Sequence, residues 1–320
     1  GLCGGLHTAT LITDDLDAYK SFYVDALGLT LDGPFTLTEK EEATQRLLWQ
    51  IPDSITWTTY LLHRPAVPNL IQLRVLVLDQ TTPMIHDSYS SREVGPFSLG
   101  FPNGNQEELD RSIREKGYGS MAPLQEGTVN RPDGSSYRYI ETIYQGPDSL
   151  HIVGIERKDG MSQLAPIDTN NLQGGPGYSA MVVEDSDSLL AFLTDVLDLE
   201  LRADRTWNAS PGSALGIPEG TPFRFALVYA KGMNHNHLLF LDYQDDEFIY
   251  PAAAPRPPNR GLAMWTFQTT DLNEVIKRAK TFGTPVVSGP TSYRDPLLGT
   301  VSAITFLAPN GFLIEVFEQK

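Results

Sequence analysis

The chain has 320 residues, 41% of them hydrophobic, and sets 24 Lys and Arg against 40 Asp and Glu, a formal net charge of −16. That is enough apolar material for one large core or two ordinary ones, and the composition excludes a disordered chain. The acidic balance repels phosphate backbones, which excludes nucleic acid as an expected partner, and no apolar stretch reaches the length that spans a membrane. Cys3 is the only cysteine, so neither an intramolecular disulfide nor a thiolate metal cluster can form. The opening Gly-Leu-Cys-Gly-Gly-Leu-His has no basic region, so a signal peptide is not expected and a cytoplasmic protein is. Homo-oligomerisation is left open.

In chain order, residues 5–13 (GLHTATLIT) alternate in the manner of a strand. Asp14 and Asp15 are helix-start residues, and Leu16, Tyr19, Phe22, Tyr23, Ala26 and Leu27 follow at helical spacing. Gly28 is placed to stop that helix. Strand-like segments then run to NLIQLRVLVL at 69–78. A weaker copy of this order occupies 96–157, from PFSLGF through PNGNQEELDRSIREKGYG to SLHIVGIE. A third spans 177–243, with GYSAMVV as its strand, Glu184 and Asp185 before its helix, and HNHLLFLDY at its end. The fourth, 261–318, runs from LAMWTFQTT through Asp271 to PNGFLIEVFE. Strand–helix–strands is by itself a generic α+β pattern; four copies with matching helix starts and last strands point to a repeat. The expected fold is therefore α+β, with four tandem βαβββ modules forming two cup-shaped domains of paired modules. The expected division is an N-terminal pair over 1–157, a linker over 158–174 and a C-terminal pair over 175–320. Pairing of the first module with the fourth is the alternative that the sequence leaves open.

LHTATLITDDLDAYKSFYVDALGL and LAPNGFLIEVFE resemble the opening and closing segments of the vicinal-oxygen-chelate superfamily of glyoxalase I, bleomycin-resistance proteins and extradiol dioxygenases. LLAFLTDVLDLEL and RGLAMWTFQTTDLNEV are similar to the catalytic half of extradiol dioxygenases in particular. The resemblance implies paired modules curled into a cup around a divalent metal, with His, Gln or Glu ligands from the first and last strands of the modules. Iron, manganese, zinc or nickel would suit such ligands, and a metal-free protein is the other expectation. A bound metal with open positions would polarise neighbouring substrate oxygens or present the substrate to dioxygen.

Carried over residue by residue, the resemblance implies metal ligands at His7, Gln72 and Glu315, with His151 as a further candidate. In the second module, Ser98 and Val153 stand at the matching positions. The iron-ligand positions of the dioxygenase half hold Tyr178 and Met264 instead of imidazoles, and only Glu315 matches. Thr305 stands where that family commonly has a tyrosine. His235 or His237 would be an acid–base histidine, Tyr178 a general acid or hydrogen-bond donor, and Met264 and Thr305 parts of the substrate pocket. Each also has a plain structural reading as a packed or hydrogen-bonded residue. His63, His86 and Cys3 carry no motif. The resulting expectation is an enzyme acting on a small oxygenated, perhaps aromatic, molecule by lyase, isomerase or dioxygenase chemistry. A sequestering protein without catalysis is the alternative.

Overall fold

The computed structural model describes residues 1–320. Four modules follow one another. The first contains β1 (Cys3–Thr13), α1 (Leu16–Tyr19, continuing as a π-helical turn over Lys20–Ala26), β2 (Thr30–Phe35), α2 (Glu39–Trp49), β3 (Trp57–His63) and β4 (Gln72–Leu78). The second has β5 (Gly95–Pro102), α3 (Gln106–Glu115), β6 (Gln125–Asn130), β7 (Ser136–Gln145) and β8 (His151–Arg157). The third has β9 (Tyr178–Val182), α4 (Ser186–Asp195), β10 (Glu200–Asn208), β11 (Pro222–Tyr229) and β12 (His237–Tyr243). The fourth has β13 (Gly261–Thr269), α5 (Leu272–Phe282), β14 (Val286–Asp295), β15 (Gly299–Leu307) and β16 (Leu313–Gln319).

The repeat has one local cause, four times over. After each first strand an Asp or Asn caps the helix by accepting a backbone N–H three residues on. Asp15 takes Ala18, Asn105 takes Glu108, Asp185 takes Ser188 and Asp271 takes Glu274. Gly28 has a left-handed φ of 77°, where a β-carbon would be strained, and it ends the first helix as its position suggested. The sequence reading passed over α2, which begins on a capping box between Thr38 and Glu41.

The modules form two eight-stranded sheets. Sheet one runs β14-β15-β16-β13-β1-β4-β3-β2 and sheet two runs β10-β11-β12-β9-β5-β8-β7-β6. The first module therefore pairs with the fourth, and the second with the third. This corrects the expected division into 1–157 and 175–320, because neither stretch contains a whole sheet. β1 meets β13, and β5 meets β9, in antiparallel register across the module boundary. All four first strands offer the same kind of free edge, so the repeat pattern cannot select a partner for any of them. Buried charges across the first seam do select one: Arg74 of module one meets Asp295 and Glu315 of module four. A guanidinium so enclosed needs those carboxylates.

One apolar core of 47 residues holds the helix faces and the convex sides of both sheets together. Trp265 of sheet one reaches Ser179 of sheet two within it, with Nε1 donating to Oγ at 3.2 Å. Separate apolar clusters occupy the concave sides, so each sheet has its own cup. No helix is long and apolar enough to cross a membrane.

Candidate functional site: two cups with different contents

The cup of sheet one is filled. The end of α2 enters it, and Leu48, Trp49, Met264 and Phe317 belong to its packed cluster. At its centre lies Arg74, fully enclosed. Its Nη1 donates to Glu315 Oε1 at 3.2 Å and its Nη2 to Asp295 Oδ2 at 3.1 Å. Its guanidinium carbon sits 4.7 Å from the Trp49 ring centroid. Glu315 is saturated: Oε2 accepts Trp49 Nε1 at 2.7 Å, and Oε1 also accepts Thr266 Oγ1 at 2.9 Å. Asp295 in turn accepts Tyr293 Oη at 2.8 Å and Gln45 Nε2 at 3.3 Å.

This arrangement does not fit a divalent metal. The expected ligands His7, Gln72 and Glu315 do share sheet one, but Glu315 faces a guanidinium. His7 lies edge-on to Phe317 with ring centroids 5.1 Å apart, and its Nδ1 is 2.8 Å from Thr8 Oγ1. Burial, and then the positive charge of Arg74, push its imidazole down to about 4. Gln72 pairs with Thr8 in parallel register and keeps its Oε1 buried without a partner. No three His, Cys, Asp or Glu side chains converge anywhere as a metal site. Met264 and Thr305, expected in a substrate pocket, are buried in this packed cup. Thr305 Oγ1 donates to the Leu48 carbonyl at 2.7 Å and so ties down the end of α2. The physical reason for these corrections is the same throughout: α2 and an internal cation occupy the space that a metal and substrate would need.

The cup of sheet two is open. It encloses a cavity of about 590 Å³, within the range of small-molecule sites. Its walls are mostly apolar, and Phe97, Ile143, Tyr178, Phe223, Leu239 and Leu241 form much of them. Trp207, 45% exposed on β10, stacks on Phe225 at 5.0 Å between centroids and forms one rim. The segment from Ala209 to Leu215 contributes the other lining near it.

Tyr178 lines this cavity. Behind it His237 is stacked between Tyr178 and Tyr229, at 5.0 Å and 4.3 Å between centroids. Burial, and then the charge of His235, push His237 down to about 3, and its Nδ1 has no partner. Burial raises the Tyr178 phenol well above its ordinary range, with the Glu141 charge adding to it. His235 sits in the turn before β12, and neither it nor His237 lines the cavity. His151 belongs to sheet two and cannot join His7. Its Nε2 lies 2.7 Å from the Tyr89 carbonyl and its Nδ1 3.2 Å from that of Phe97, so both nitrogens face backbone oxygens. Burial pushes it down to about 4.

The sequence reading missed Glu141. It lies on β7 and lines the cavity between Tyr139 and Ile143. Burial alone pushes its carboxyl up to about 7; no cation and no hydrogen-bond donor acts on it. Nearby Ser98 keeps its hydroxyl buried without a partner. The signal for Glu141 was a lone carboxylate in the alternating run YRYIETIY, and for Arg74 a lone cation in LIQLRVLVL, on the same strand face as Gln72.

Comparison with known proteins agrees with the architecture. A family model described as the Glyoxalase/Bleomycin resistance protein/Dioxygenase superfamily matches residues 175–316. Glyoxalase I from Zea mays is 14% identical, with a TM-score of 0.60 over 98% of this chain and 92% of that one. A Bacillus subtilis protein described as a candidate dioxygenase is 15% identical, with a TM-score of 0.56 over 99% of this chain and 86% of that one. Likeness at such identity concerns the fold. No curated protein matches the sequence.

Proposed function

From the match of residues 175–316 to the glyoxalase, bleomycin-resistance protein and dioxygenase superfamily model and the paired-module fold of the whole chain, we propose that the protein binds a small, largely apolar molecule in the cup of sheet two without a metal. The observation that carries this reading is the contrast between the cups. One is packed around Arg74, while the other keeps a cavity of about 590 Å³ with aromatic walls. A concave site of that size with mostly apolar walls is the usual form of a small-molecule site. The orphaned Ser98 Oγ on its wall is suited to orienting a ligand oxygen or nitrogen.

Calorimetric titration with small aromatic compounds tests the reading. Binding is expected, unchanged by chelator, and weakened roughly tenfold by Trp207→Ala through loss of aromatic contact. Binding abolished by chelator and restored by a divalent ion would overturn it.

A catalytic reading is supported by one observation, the Glu141 carboxyl on the cavity wall with no cation or hydrogen-bond donor, which burial pushes up to about 7. A group with that value can take and return a proton near neutral pH, and the Tyr178 phenol on the cavity wall could donate to a ligand oxygen. It predicts a bound ligand whose turnover is lost in Glu141→Gln while binding of a neutral ligand persists. Unchanged turnover in that variant would remove Glu141 from the chemistry.

A further inference from the structure

Glu141, half-buried on the cavity wall, differs from the protein's other buried or half-buried carboxylates. Glu315 and Asp295 answer a guanidinium, and Asp148 accepts Tyr19 and lies 3.3 Å from Arg260. Glu141 answers nothing. Neither Lys, Arg nor His lines the cavity it faces, so it is the only formally charged side chain there. The groups nearest its charge are Tyr139 on its own strand and Tyr178 from β9, both phenols with raised values. Gln125 lies opposite it on β6, and its amide is already spent on the Gly212 carbonyl. A carboxylate in apolar surroundings is costly unless paired, and nothing in the chain pairs it.

The rest of the cavity favours a positive charge as the missing partner. Tyr139, Tyr178, Trp207, Phe223 and Phe225 supply aromatic rings, whose faces attract cations. An anion would enter a wall without one cationic group, against a protein of net charge −16. Building on the binding reading above, we propose that the ligand is an apolar, aromatic molecule bearing a single positive charge, a protonated amine or quaternary ammonium, and that Glu141 is its counter-ion. The cation–carboxylate pair forms inside the cavity, and the ring system fills the apolar walls.

Three probes with one ring system separate the possibilities: naphthylmethylamine as the cation, naphthylmethanol as the neutral isostere and naphthylacetate as the anion. Calorimetry on the full chain is expected to give the order cation, alcohol, anion, with roughly a tenfold preference for the cation over the alcohol. Glu141→Gln should erase that preference. Should that variant fail to fold, the wild-type protein still decides the matter. Its affinity for the cation should rise between about pH 5.5 and about pH 8.5 as Glu141 ionises, while that for the alcohol stays flat. Equal affinity for cation and alcohol, or a cation preference that survives Glu141→Gln, overturns the counter-ion assignment and leaves the binding reading intact. Absence of binding by all three probes counts against the binding reading and takes this inference with it.

Discussion

At the scale of single residues, buried and half-buried charged groups act in different directions. Arg74 is held by Glu315 and Asp295, and replacing it alone leaves two buried carboxylates without a partner. Arg74→Met should cost about 3–5 kcal/mol in urea unfolding, and adding Glu315→Gln and Asp295→Asn should recover part of it. No recovery would mean that packing, and not charge, makes Arg74 necessary. Glu141 gives a pH signature. Its folded value of about 7 lies above its ordinary value of 4.5, so the folded state holds the proton more tightly. Its contribution to stability is full below about 4.5 and is lost as the pH rises through about 7. The buried histidines work the other way. His7 and His151 at about 4, and His237 at about 3, contribute fully above about 6.5 and lose that contribution as the pH falls. Comparing Glu141→Gln with the wild type isolates the first effect: the variant should gain relative stability at about pH 8 over about pH 5. An unchanged difference across that range would show that Glu141 sits in water rather than in an apolar wall.

Among elements, α2 decides which cup is open. Its sequence, EKEEATQRLLW, is charged over its first turns and carries no long apolar stripe, so it is hard to read as a buried helix. Its apolar residues lie close to its C-terminal end, where Leu48 and Trp49 enter the cup. Trp49→Ala should destabilise the protein by about 3–5 kcal/mol, because it removes a buried ring and leaves Glu315 Oε2 without its donor. Thr38→Ala, which breaks the capping box, should cost only about 1 kcal/mol. Thermal unfolding of the pair measures both. Similar losses for the two variants would mean that α2 contributes as an isolated helix and not as a plug. The capped helices that follow the first strands were legible in sequence, because Asp15, Asp185 and Asp271 sit directly before apolar helical runs. Asn105 was harder to read, because the first turn of its helix is almost wholly polar.

For the whole molecule, the pairing of module one with four and two with three ties the chain ends together. A cut within 158–174 divides both sheets, so fragments 1–157 and 175–320 should each fail to fold alone and should associate when expressed together. Independent cooperative unfolding of either fragment would contradict the cross-chain pairing. The sequence by itself determined the four modules, the positions of most helices and the strands on which candidate ligands fall, since these follow from local periodicity and capping. It placed His7, Gln72 and Glu315 on one sheet only in the alternative pairing, and it singled out Tyr178 but not Glu141, which lines the same cavity. Only the tertiary structure decided the partner of each module, because four like strand edges are interchangeable until Arg74 meets Asp295 and Glu315. It also decided which cup is filled. That depends on where α2 and its tryptophan come to rest against strands more than two hundred residues away, a distance over which sequence pattern carries no information.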